Sequence, residues 1–136
     1  MIVDIHSHIK RNPAGQEEEE KKLLLDMEKN GIDFRVVSAL DGWPVEAGNR
    51  YISKLVSAYP DRLAGCAVIN PKEDNCAETA RKALKLPGMV MLEFNSVEHG
   101  YYPDACSGIE DVLAVAEERR VPVKVFTGIG SRSMPQ

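Results

Sequence analysis

Residues 3–10 read VDIHSHIK, with His6 and His8 at alternate positions of a strand-like run and Asp4 two residues before them. Side chains on a strand alternate between faces, so regular pairing puts Asp4, His6 and His8 on one face and Val3, Ile5 and Ile9 on the other. Imidazole is the commonest metal-binding side chain, and two of them at i and i+2 can converge on one ion. Such an ion lowers the pKa of a bound water towards neutrality and polarises a substrate oxygen. Asp4, deeper on that face, is expected to orient a ligand or to satisfy buried backbone. The competing reading is two histidines satisfied by hydrogen bonds at a strand end; metal binding is the expectation here.

The elements that must carry this pair alternate along the chain. Ile2 to Ile9 is a strand whose Val3–Ile5–Ile9 face is expected to pack on helices. A Pro/Gly/Asn loop precedes EEEEKKLLLDMEKNG, a helix with acids in its first turn and Gly31 as its stop. Phe34 to Leu40 is the next strand, closed by the turn-prone DGWP. Ile52, Leu55, Val56 and Tyr59 form one helical stripe that Pro60 ends. Leu63 to Ile69 is continuously apolar, as in a strand covered on both faces. Ala77, Ala80 and Leu84 mark a third helix, Met89 to Phe94 a fourth strand, and Ile109, Val112, Leu113 and Ala116 a fourth long helix. VPVKVFTG is the last strand. About five strands alternating with helices predict an α/β fold with a parallel sheet, organised as a single domain over 1–136.

The 136 residues suffice for one core, and composition is ordinary for a globular protein: 43% hydrophobic and 28% charged. A net charge of −4 without a basic block argues against nucleic acid or an anionic membrane as partner. Three cysteines, Cys66, Cys76 and Cys106, without a CxxC pair point to a reducing compartment. The first residues lack the apolar stretch of a signal peptide, so the expected location is cytoplasmic. The GIGSR segment lacks the rest of a P-loop and reads as a structural loop.

VDIHSH resembles the Asp-x-His-x-His opening of the amidohydrolase superfamily. LLLDMEKNGIDFRVVSAL, NRYISKLVSAYPDRLAGCAVINP, GYYPD and VPVKVFTGIG are similar to successive units of its amidohydrolase-2 branch, which includes aminocarboxymuconate-semialdehyde decarboxylase-like enzymes. The resemblance implies a metal-dependent (β/α)8 TIM barrel. A whole barrel takes about 250 residues, so this chain is expected to form an incomplete one. The later units, where the family places a further metal-binding histidine and the catalytic aspartate, lie outside it.

Two positions depart from the family pattern. Phe126 stands where the family has a metal-binding histidine on the fifth strand, and Met91 where it commonly has a lysine on the fourth. Glu93, two residues beyond Met91 and on its face, is the candidate to join His6 and His8 as third ligand, since a carboxylate suits zinc or manganese. The alternative places Glu93 against a solvated loop. Lys124 shares its face with Phe126 and should point inward, where it needs a carboxylate partner such as Glu93. His99, in VEHGYYPD, is a candidate substrate contact or displaced ligand. Catalytic residues proper are not assigned.

The expected function is that of a metal-dependent hydrolase or decarboxylase on a small organic substrate, with zinc expected and manganese acceptable. The alternatives are a catalytically degenerate barrel that binds a ligand or partner, or a fragment of a longer enzyme. Five parallel strands would leave two sheet edges and an inner face carrying Met89, Met91 and Phe126 to be covered. A homo-oligomer, or association with a missing second half, is the expected remedy.

Overall fold

A computed structural model describes residues 1–127. The strands are β1 (Val3–Lys10), β2 (Phe34–Leu40), β3 (Leu63–Val68), β4 (Met89–Asn95) and β5 (Val123–Phe126). They pair in the order β1-β2-β3-β4-β5, and every pairing is parallel. The helices between them are α1 (Gln16–Asn30), α2 (Val45–Ala58), α3 (Cys76–Lys85), the four-residue α4 (Ser96–His99) and α5 (Gly108–Arg119). Five parallel strands alternating with helices form half of a TIM barrel. GIGSR begins at Gly128 and lies outside the described residues.

The helices sit where the sequence pattern puts them. α1 ends at Gly31, whose left-handed φ of 65° no β-branched residue would accept easily. Ile52, Leu55 and Val56 of α2 are buried against the sheet, each worth about 1.5–3 kcal/mol. In α5 the buried stripe is Val112, Val115 and Ala116, so Leu113, expected inside, is 43% exposed one position off that stripe. The long connection after β4 is not irregular throughout. Asn95 accepts a hydrogen bond from the Glu98 backbone to open α4, and Gly100 in the left-handed region closes it. A 3-10 turn at Pro103–Ala105 follows.

The two faces of the sheet differ. The helix side holds the larger core, including Val37, Ala39, Ala67, Leu92 and Phe94 with the helix stripes. The inner side has a small apolar floor of Val36, Ala64, Cys66 and Met91, with Phe34 packed on it. Met89 was expected on that inner face beside Met91, but it belongs to the helix-side core. The cause is a register shift between β3 and β4: Gly65 pairs with Met89 and Cys66 with Met91. One extra residue in a strand reverses the facing of everything before it.

A second register shift, in β1, overturns the expected faces of the histidine strand. Asp4 pairs with Arg35, but Ser7 pairs with Val37, so Ile5 and His6 together oppose one residue of β2. Ile9, beyond the shift, is buried in the helix-side core. Val3 and Ile5, before or within it, are about half exposed instead of packing with Ile9.

Candidate metal centre

The inner face changes character along the strands. Two residues beyond Val36 of the floor comes Ser38, and two beyond Met91 comes Glu93, so a polar layer sits above the apolar one at the carboxyl end of the sheet. His8 pairs with Ser38 across β1–β2, and Glu93 pairs with Lys124 across β4–β5. Ser38 and Glu93 are fully buried.

Hydrogen bonds link these groups into a relay. The Ser38 hydroxyl donates to Glu93 Oε2 over 2.6 Å. That proton is thereby committed, so the same oxygen accepts from His8 Nδ1, 2.7 Å away. His8 Nε2 then carries the free lone pair of the neutral ring. It faces His6 Nε2 at 3.0 Å, with the rings edge to face. Burial is the main cause holding the His8 pKa below its ordinary value, with Lys124 and His6 adding to it against the pull of Glu93. A neutral imidazole is the ligand-competent form.

Glu93 uses only one of its two oxygens. Oε2 takes the Ser38 hydrogen bond, lies 3.1 Å from Lys124 Nζ and is approached by the Cys66 thiol at 3.9 Å. Oε1 is buried, makes no hydrogen bond among the described residues, and lies 3.8 Å from His8 Nε2. An oxygen left bare in this way marks a position for a cation or a donor. Donor atoms of His6, His8 and Glu93 all lie within 4.8 Å of one another. Two nitrogens and a carboxylate oxygen suit zinc or manganese, and 3.0 Å between the nitrogens is compatible with both lying about 2.0–2.1 Å from one ion.

The other candidates are placed differently. Asp4 does not share the face of His8: its Oδ2 lies 2.9 Å from Arg35 Nε, on the α1 side of the sheet. Its Oδ1 accepts from the His6 backbone N–H at 2.9 Å. The register shift in β1 is the reason. Lys124 meets Glu93, so the inner lysine has its carboxylate. His99 is not in an open loop but ends α4, half-buried, with Nδ1 unbonded among the described residues and its pKa lowered chiefly by burial. Lys72 donates to the His99 and Gly100 carbonyls at 3.4 and 3.3 Å, tying that segment to the β3–α3 loop. Phe126 pairs with Asn95, two residues beyond Lys124. Cys66 is a buried thiol whose pKa is pushed up by desolvation.

Sequence reasoning passed over Ser38 and Arg35. Each is the polar exception in FRVVSAL, an otherwise apolar strand, and that exception was the available signal. Arg35 is 6% exposed and held by Asp4, by Asp26 Oδ2 at 2.8 Å and by the Leu23 carbonyl at 3.4 Å.

The fold has counterparts in solved structures. An amidohydrolase II aligns at 21% identity with a TM-score of 0.72, over 98% of this chain and 52% of the other. The 5-carboxyvanillate decarboxylase LigW from Sphingomonas paucimobilis aligns at 14% identity and TM-score 0.69, over 91% and 51%. A 5-carboxyvanillate decarboxylase from Novosphingobium aromaticivorans, complexed with manganese and 4-hydroxy-3-methoxy-5-nitrobenzoic acid, gives 14% and 0.73, over 92% and 49%. At these identities the likeness is one of fold, and the chain spans about half the length of those structures. A search of curated proteins found no match. The amidohydrolase family Amidohydro_2 matches residues 3–136, and the chain belongs to that family.

Proposed function

We propose that the chain carries the metal-holding half of a metal-dependent hydrolase or decarboxylase barrel that acts on a small organic substrate. His6, His8 and Glu93 would hold the divalent ion. The observation that carries this reading is Glu93 Oε1, buried without a hydrogen bond and 3.8 Å from His8 Nε2. Zinc is the favoured ion because the donors are two imidazoles and a carboxylate; manganese, present in one structural relative, is the alternative. When bound, the ion supplies Lewis-acid polarisation of a substrate oxygen or an activated water.

The chain's own residues do the rest. Ser38 keeps the His8 proton on Nδ1, which leaves Nε2 free. Lys124 balances the Glu93 charge at Oε2, 3.1 Å away, while Oε1 is the oxygen paired with His8. The unbonded Nδ1 of His99, on the segment after β4, supports a role in substrate contact. Three free cysteines support a reducing, cytoplasmic setting. Among the described residues no helix is long and apolar enough to cross a membrane. Exposed Val3 and Ile5 on β1 and Val125 on β5 support association along the open sheet edges, with a second copy or with further barrel units.

Metal content per chain tests the reading, measured by elemental analysis beside a His6→Ala/His8→Ala double variant. Near-stoichiometric zinc or manganese, lost in the variant, is expected. Equal and negligible metal in both would overturn it. The second reading, a degenerate barrel that binds without catalysis, rests on Phe126, which cannot coordinate a metal where the resemblance expects a histidine. Turnover that depends on His6 would exclude it.

A further inference from the structure

Asp4 and Arg35 lie on the opposite side of the sheet from Glu93, yet both connect to the histidine pair through the backbone. Regular pairing of β1 with β2 would carry Asp4, His6 and His8 on one face. The structure has one extra residue between Asp4 and Ser7. An unpaired bulge residue needs a partner for its backbone N–H, and a strand with a bulge can slip unless something pins it. Asp4 Oδ1 is that partner for the His6 N–H, at 2.9 Å. The other oxygen of the same carboxylate is fixed 2.9 Å from Arg35 Nε, and Arg35 is clamped in turn to Asp26 and Leu23 of α1.

We propose that Arg35 and Asp4 are positioning residues that pin the β1 bulge and thereby set His6 Nε2 against His8 Nε2. The inference rests on the metal-centre reading for its consequence, but not for its geometry. A buried arginine in β2 is costly unless paired. Here the charge is spent on fixing a carboxylate that orders the backbone of the most exposed candidate ligand. The pairing of His8 with Ser38 supplies no such restraint on His6, because the register shift falls between them and Asp4.

The test uses three variants: Asp4→Ala, Arg35→Met, and the double Asp4→Ala/Arg35→Met. The double variant removes the buried charge together with its carboxylate, which spares the fold the cost of an orphaned guanidinium. Two readouts are taken on each: zinc affinity by competition with a chromophoric chelator, and the imidazole nitrogen and carbon resonances of the metal-free protein. Zinc affinity is expected to fall by about 10- to 100-fold in Asp4→Ala and in the double variant, and by less in Arg35→Met. In the metal-free protein the His6 and His8 resonances should shift while those of His99 stay. Unchanged His6 resonances in the folded double variant would overturn the inference whether or not zinc binds. If native protein binds no zinc while the His6 resonances still move, the positioning stands and the metal reading alone fails.

Discussion

Ser38 Oγ lies 2.6 Å from Glu93 Oε2, so residues 55 positions apart in sequence share one proton on the inner face of the sheet. The same oxygen receives His8 Nδ1, and the hydroxyl thereby decides which nitrogen of His8 is free. A strand-end histidine without such a partner could present either nitrogen. Here the buried serine selects Nε2 and turns it towards His6.

Replacing Ser38 with alanine removes the hydroxyl and leaves His8 Nδ1 without its acceptor. Zinc affinity should drop by about 10- to 100-fold, as for other groups that orient a metal-binding histidine. Competition titration against a chelator checks it, and affinity equal to the native protein would show that the relay does not govern His8.

Lys124 is 10% exposed at its side chain and has Glu93 as its ion partner. Glu93→Ala should therefore destabilise by about 3–5 kcal/mol, because an ammonium is left buried without its carboxylate. Glu93→Ala/Lys124→Met should recover much of that loss while still failing to bind metal. Urea denaturation of the two variants separates the roles: a double variant as unstable as the single one would place the cost elsewhere.

Burial lowers the pKa of both His8 and His99 below the ordinary 6.5. Below that value the unfolded chain takes up protons that the folded chain does not, so unfolding becomes easier as pH falls. The metal-free protein should thus lose stability from about pH 7 downward, until the folded histidines also protonate. His99→Asn should reduce the slope. Denaturation midpoints that stay flat between about pH 7.5 and 5 would contradict the assignment.

Gly108 opens α5 where an added Cβ would collide with the Pro71 carbonyl oxygen and crowd the Cys76 sulfur, so a methyl has no room there. Its carbonyl also accepts from the Cys76 thiol at 3.6 Å. Gly108→Ala should cost about 1–3 kcal/mol through displacement of α5 from the β3–α3 loop. Thermal unfolding measures it, with Gly15→Ala as a comparison expected to cost less, because an added Cβ at this half-buried N-cap of α1 meets only side-chain atoms at 3.6 and 3.8 Å.

Much of the fold was legible because burial imposes periodicity on sequence. The β-branched and apolar runs of β2 and β3, and the stripe of Ile52, Leu55 and Val56, can be satisfied only by covered strands and an amphipathic helix. Leu113 shows the limit: the apolar positions of α5 are wider than its buried stripe, and packing centred that stripe on Val112, Val115 and Ala116, which leaves Leu113 outside it. The candidate ligands His6, His8 and Glu93 were readable by type and by their two-residue spacing from known positions. Their convergence was not, since it depends on the curvature that brings β1 and β4 together across two intervening strands.

What the sequence by itself determined is the five strands, the four longer helices that alternate with them, and the residue types able to hold a divalent ion. The tertiary structure alone decided the facing of residues that lie across a register shift from their neighbours. Two register shifts moved both Asp4, which meets Arg35, and Met89 to the helix side of the sheet. A bulge leaves almost no trace in composition, because inserting one residue preserves every local preference while reversing the strand's facing from that point on.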